Sequence, residues 1–408
     1  MKSVQPNRPK ILIISGSYPD LKCGVGICLE RLVENMMAKG VKISLLTDCD
    51  PLIIKKDYIN ALIKIWNICA IPKILSFINR ERPHLINFQV PTLKYKARLS
   101  AISLLPLVSK MCFKATPFVV TVHDYAISRQ FFKIFFLPLF LFSDAIVMTN
   151  ANDIGCLLKS FPFFRHKVRK IRLGPSVEPA PVSRDKIEEF YKNLGYKKGD
   201  RFISTFGLIK RGRYIEEILK VFGRLAAEDE RLKLMLLGQT QNGHGLKYKD
   251  SVSNLIESMG LRNKVRWLEY HNPAEGALYL SLSDLALLFY ERGASFRRST
   301  MINYIVRRIP VITNVNKKYG IDDELLSSGM VLAVDSVNTS EIYEKAKSIL
   351  YNKDYADALK NRMAPAQDEF NWSRSADEMI GLCMELINRK KAIGRIINEP
   401  SPSQSGEC

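Results

Sequence analysis

The chain has 408 residues, 47% hydrophobic and 25% charged, a length that one hydrophobic core rarely serves, so two domains of ordinary size are expected. This composition is that of a folded globular protein and excludes a disordered or fibrous chain. The formal net charge of +20 admits nucleic acid, an anionic membrane surface or a phosphorylated ligand. No module with stacking aromatics and no basic recognition helix accompanies it, so nucleic-acid binding is not expected.

The N-terminal stretch MKSVQPNRPK carries no apolar leader and runs into KILIIS at 10–15, predicted as a strand. The eight cysteines, Cys23, Cys28, Cys49, Cys69, Cys112, Cys156, Cys383 and Cys408, form no C-x-x-C pair and have no histidine beside them. A metal site is therefore not expected, and scattered thiols suit a reducing cytoplasm. A polar loop with Gly24 and Gly26 follows the strand. Next comes a helix whose Leu29, Leu32, Val33, Met36 and Met37 form one apolar stripe ending at Gly40. Glycines between a strand and a helix N-terminus suit a phosphate, but they serve equally as a bend, since the third glycine of the dinucleotide fingerprint is absent.

Strands are predicted at 41–47, 84–90, 117–122 and 144–149 with apolar helical stretches between them, which indicates a parallel sheet covered on both faces. His123 directly follows one of these strands, at the carboxyl edge where open α/β sheets place ligands. It suits a sugar hydroxyl or a developing charge, with Asp124 or a backbone carbonyl fixing its tautomer, or else it caps the next segment. The stretch FFKIFFLPLFLF at 131–142 holds six phenylalanines and is too short to span a bilayer. It reads as a helix buried against the sheet or, with Arg129 and Lys133, as a segment dipping into an anionic leaflet.

Composition changes at 175–200, where three prolines precede a charged run, and a linker is expected there. The chain accordingly divides into 1–183 and 184–369, with 370–395 packing back on the first part and a disordered tail over 396–408. The βαβ pattern then restarts with FISTF at 202–206, a helix at 214–227 and further strands at 233–238, 265–270, 284–290 and 310–313. The fold class expected is α/β, two doubly wound Rossmann-like domains facing across a cleft. In the loop GLIKRGRY, Gly207, Lys210, Arg211 and Arg213 bring free N–H groups and cations together, as a diphosphate leaving group requires. A second cradle is expected in ERGASFRRST, where Ser295, Ser299 and Thr300 offer hydroxyls or caps and Arg297 and Arg298 offer charge at a helix start.

Taken in order, PDLKCGVGICLERL, VVTVHDY, DAIVMTN, VRKIRLGPSV, FGLIKRGRYIEEILKVF, LMLLG, VRWLEY, LSDLALLFYERGASFRRST and RIPVIT resemble the retaining GT-B glycosyltransferases of the group 1, family 4-like kind. The similarity covers nearly the whole chain. It implies a hexosyl or related transfer from a nucleotide-sugar donor to a sugar or lipid-linked acceptor, in surface polysaccharide or glycolipid assembly, without metal or cofactor. By the resemblance, Gly24 and Gly26 match the glycine loop near the transferred sugar, His123 the sheet-edge histidine, and Arg213 the usual lysine that grips the diphosphate with Lys210. Ser295 and Asn303 stand where most members carry two glutamates, as in a variant subgroup with an Arg-Arg-Gly/Ser-Ser/Thr turn, and Glu291 is the nearest substitute for the first. The missing pair also admits a degenerate binding subunit, and the fold admits a nucleotide-sugar epimerase. A cytoplasmic protein, peripheral on the inner membrane face, is expected.

Overall fold

Two parallel sheets organise the chain in the computed structural model, which describes residues 8–18, 24–49, 56–91, 102–126, 128, 133–238, 244–270 and 272–398. The first contains β1 Lys10–Ser15, β2 Lys42–Asp48, β3 Ile59–Ile63, β4 Leu85–Pro91, β5 Phe118–His123, β6 Ala145–Met148 and β7 Val168–Lys170. Their spatial order is β3-β2-β1-β4-β5-β6-β7. The second contains β8 Arg201–Phe206, β9 Leu232–Leu237, β10 Val265–Leu268, β11 Ser283–Leu288, β12 Val311–Asn314 and β13 Leu332–Val334, in the order β10-β9-β8-β11-β12-β13. All pairings are parallel. The central strands are apolar on both faces because helices cover both, and all six residues of β5 are buried. Strand order reverses between β1 and β4 and again between β8 and β11, and the carboxyl edge at such a point is where doubly wound sheets hold ligands.

Three strands escaped the sequence reading. β3, β7 and β13 lie at sheet edges, and they are too short, or in β7 too polar, for their pattern to stand out. The expected linker at 175–200 is a second correction, because Arg184–Leu194 is a helix. Ser183 caps it by accepting from the Lys186 N–H, and Gly195 ends it at φ 69°. Its charged residues face solvent, while Phe190 is buried and Ile187, Tyr191 and Leu194 pack on the second core.

The Phe-rich stretch forms a 3₁₀ turn, Ile134–Phe136, and a short helix, Leu137–Phe142. Phe136, Leu139 and Phe140 enter the first core, where Tyr125 and Phe164 meet their rings, and Ile134 and Leu141 stay exposed. Arg129, Phe131 and Phe132 lie outside the described residues. Among the described residues no helix is long and apolar enough to cross a membrane.

The last helix, Trp372–Asn398, returns to the first sheet. Trp372, Ala376, Met379, Cys383 and Leu386 share a core with Leu29, Leu32, Val33 and Met36 of the helix Gly24–Ala38. At the crossing the Trp372 indole donates to the Pro175 carbonyl at 2.8 Å. A Cβ on Gly174 would sit 2.6 Å from that indole nitrogen, so only glycine fits beneath the ring. The helix extends past the expected start of the tail at 396, and residues 399–408 are outside the description.

Candidate functional site

Two strand ends of the second sheet meet backbone to backbone. Gly207 follows β8 at φ 126° and Gly238 follows β9 at φ 143°. A Cβ on Gly238 would fall onto the Gly207 carbonyl, so glycine permits both the left-handed backbone and the close approach. Beyond Gly207 the loop climbs to Tyr214, itself left-handed at φ 55°, and enters the helix Ile215–Glu228 without a side-chain cap.

This loop and the one after β11 are joined through Tyr290. The Arg213 guanidinium donates to the Phe206 carbonyl at 2.5 Å and lies 4.6 Å from the Tyr290 ring centre. Arg298 lies 4.9 Å from the same ring, whose hydroxyl shares a hydrogen bond of 3.0 Å with Thr300. Asn314 at the end of β12 clamps Tyr290 by accepting from its N–H and donating to its carbonyl. Glu291 ties the loops together through its main chain, its N–H donating to the Gly212 carbonyl at 3.0 Å, and its carboxylate packs beside Gly212. An electron-rich ring thus holds two guanidinium groups that would otherwise repel.

Their charge is little offset. Desolvation of the Lys210 head group, followed by repulsion from Arg213 and Arg298, holds its ammonium below the ordinary lysine range, with Glu291 pulling the other way. Burial, reinforced by Arg297, pushes Arg298 down to about 10. Among the described residues, Ser295 Oγ, Arg297 Nε and Nη1, and Arg298 Nε are buried without a hydrogen-bond partner. Such groups favour an anion with several acceptor oxygens.

Other expected residues sit differently. Gly24 and Gly26 lie in the first turn of the helix Gly24–Ala38 rather than in a loop before it. Ser299 begins the helix Ser299–Ile305, but Arg298 occupies its N-cap and no hydroxyl caps it, so the expected capping by Ser295, Ser299 or Thr300 is absent. Asn303 is buried and turned towards the interdomain segment, bonding Ser176 Oγ and accepting from the Val177 N–H. Arg297 reaches across the cleft, 3.5 Å from Asp124.

His123 is buried, 8% exposed, and Nε2 lies 2.9 Å from Gln89 Oε1. Asp124 therefore does not fix its tautomer as expected; the left-handed backbone of Asp124, φ 64°, turns that carboxylate towards Arg297. Burial pushes the imidazole down to about 4 despite the opposing pull of Asp124. The ring lines a narrow cavity with Cys28, Leu29, Trp372, Ser375 and Met379, enclosed by the first and last helices. Sequence reasoning passed over Gln89, Gly238, Tyr290 and Asn314. Only Gly238 left a signal, a glycine closing an apolar strand. Among the described residues no three His, Cys, Asp or Glu side chains gather as a metal-binding group.

Residues 186–364 match the model of glycosyl transferases group 1. No curated protein matches the chain. A glycosyltransferase from Rickettsia africae is 14% identical, with a TM-score of 0.73 over 93% of this chain and 99% of that one. HepE from Anabaena, solved with UDP and glucose, is 13% identical at a TM-score of 0.68 over 93% and 100%. A UDP-N-acetylglucosamine 2-epimerase is 11% identical at a TM-score of 0.62 over 98% and 99%. Residues 186–364, built around the second sheet, thus match glycosyl transferases group 1, and both sheets are arranged in the GT-B fold of these structures.

Proposed function

We propose that the protein transfers a sugar, with retention of configuration, from a nucleotide-diphospho-sugar to an acceptor presented at a membrane surface, in polysaccharide or glycolipid assembly. The observation that carries this is the pair of guanidinium groups, Arg213 and Arg298, stacked on Tyr290 beside Lys210. That arrangement suits a diphosphate, whose negative charge grows as the bond to the sugar breaks. HepE was solved with UDP-glucose, a donor of this chemical class, and with UDP.

In this reading the acceptor hydroxyl oxygen bonds to the anomeric carbon on the face that the diphosphate leaves. The carbon–oxygen bond to phosphate breaks, and the hydroxyl proton passes to the departing phosphate oxygen. The cations and the Gly207 backbone stabilise the leaving group, so neither a metal nor a protein nucleophile enters the step. His123, Gly24, Gly26 and Ser295 serve the sugar end. Binding of a panel of UDP-, GDP- and ADP-sugars, followed by anomeric analysis of the product, tests the proposal; no saturable nucleotide binding would sink it.

The membrane part rests on exposed apolar residues of the first domain. Met111, Ile134 and Phe163 are 69%, 62% and 56% exposed on elements that each pack against the helix Leu137–Phe142, with Lys114 and Arg165 close in sequence. Apolar residues rimmed by cations favour an anionic leaflet. Sedimentation with vesicles containing anionic lipid should carry the protein down, and Met111→Glu with Phe163→Glu should release it. An epimerase reading shares the fold, and it predicts a product from donor alone, with no acceptor.

A further inference from the structure

We infer that Arg172 is a positioning residue, an arm of the first domain that fixes the turn Ser295–Arg298 by clamping the ring of Phe296. The inference rests on the reading in which that turn meets the donor.

The turn carries its chemistry on either side of one anchored residue. The Arg298 N–H donates to the Ser295 carbonyl at 3.0 Å, which closes a β-turn with Phe296 and Arg297 at its centre. Among the described residues Ser295 Oγ and two nitrogens of Arg297 are buried without hydrogen-bond partners, whereas Phe296 between them is 1% exposed and held from two sides. Its N–H donates to Asp322 Oδ2 at 2.9 Å, and its ring centre lies 4.9 Å from that of Phe370. A turn fixed at its corner presents the flanking side chains in one arrangement, so less ordering entropy is lost when a ligand binds.

Arg172 completes the clamp from the other domain. It follows β7, and its carbonyl accepts from Ser375 Oγ of the last helix at 2.7 Å, which fixes its main chain on the first sheet. Its guanidinium lies 5.4 Å from the Phe296 ring centre and 5.0 Å from the Phe370 ring centre. At the edge, Nη2 meets Glu324 Oε1 at 2.5 Å and Glu369 Oε2 at 3.3 Å, and Lys170 reaches the same Glu324 oxygen at 2.8 Å. The side chain is 18% exposed, so the ring contacts act with water largely excluded. A flat, delocalised guanidinium lies against rings while its edge takes carboxylates, which a lysine ammonium does not reproduce. The donor turn of the second domain is therefore held in shape by a side chain of the first.

Hydrogen exchange of the full-length protein tests this without a ligand. Arg172→Met keeps the length and removes the charge and the flat face. Exchange over 294–300 should quicken about tenfold, the order of one lost cation–π grip, while the helix Ile215–Glu228 keeps its wild-type rate. Phe296→Leu removes the ring from the other side and should act likewise, and the two changes together should be no faster than either alone. Arg172→Lys, which retains a charge for Glu324, should recover only part. Wild-type exchange in both single variants, equal quickening throughout the second domain, or additive effects in the double variant each overturn the inference. In calorimetry with UDP as the probe, Arg172→Met should raise Kd about three- to tenfold, the affinity owed to a pre-formed turn. An unchanged Kd beside a loosened turn makes Arg172 merely structural and also overturns the inference. Failure of the donor reading is seen separately, as no UDP binding by the wild type.

Discussion

Arg297, on the loop after β11 that also carries Arg298, lies 3.5 Å from Asp124, the residue next to His123. A charge pair thus links the two halves of the cleft, as Lys170 and Arg172 do with Glu324 elsewhere, and Asp153 lies within reach of the Arg297 charge. Asp153 is buried, accepts from the Ala126 N–H at 2.7 Å, and feels Arg297 as a favourable charge. Truncating one partner of a largely buried pair leaves the other uncompensated. Arg297→Ala should lower stability in urea by about 2–3 kcal/mol, after allowance for the partial exposure of Asp124. In a cycle with Asp124→Ala the losses should be non-additive by about 1 kcal/mol; strict additivity would show that the pair is not coupled.

The cradle on Tyr290 makes Arg213 the sharpest test of donor binding. Arg213→Ala removes a charge-assisted contact and should weaken nucleotide-diphosphate binding by about 1.5–3 kcal/mol in calorimetry. Arg213→Lys should recover only part, because an ammonium cannot stack flat on the ring as a guanidinium does. An unchanged Kd in the alanine variant would remove Arg213 from the site.

Gly207 and Gly238 should respond differently to alanine, although both hold positive φ. At Gly207 the new methyl meets the far end of the Arg213 side chain, which can swing aside, and the loss should fall chiefly on donor affinity. At Gly238 it meets the Gly207 carbonyl, which cannot move without parting β8 from β9. Gly238→Ala should therefore cost the fold more, about 2 kcal/mol or above, read as a lowered Tm. Equal losses of stability would contradict the contact.

The buried imidazole sets a pH dependence. Its folded value, about 4, lies below the ordinary 6.5 of an unfolded chain, so the unfolded state takes up the proton first as pH falls. Its contribution is fully present above about pH 6.5 and is lost between there and about 4, by up to about 3 kcal/mol. The difference between wild type and His123→Gln should show this slope in that window and flatten above it. A parallel offset at every pH would mean that His123 titrates normally.

By itself the sequence determined the two doubly wound domains, because uninterrupted apolar strands and striped helices admit few other arrangements. It also marked the loops 207–214 and 291–300, where glycine, cations and hydroxyls cluster along the chain. Edge strands β3, β7 and β13 and the helix Arg184–Leu194 were not legible, since three to five residues carry little periodicity and a charged helix shows its single buried face only once Phe190 has something to pack on. Only the tertiary structure decided how the site is assembled. Tyr290 and Asn314 reveal nothing in sequence because their roles come from strand ends meeting at a switch point. Gln89 and Met379 lie 290 residues apart and line one cavity with His123 only because the last helix folds back over the first sheet. Local pattern is written by neighbours along the chain, whereas hydrogen-bond direction and charge pairing depend on distances that folding alone creates.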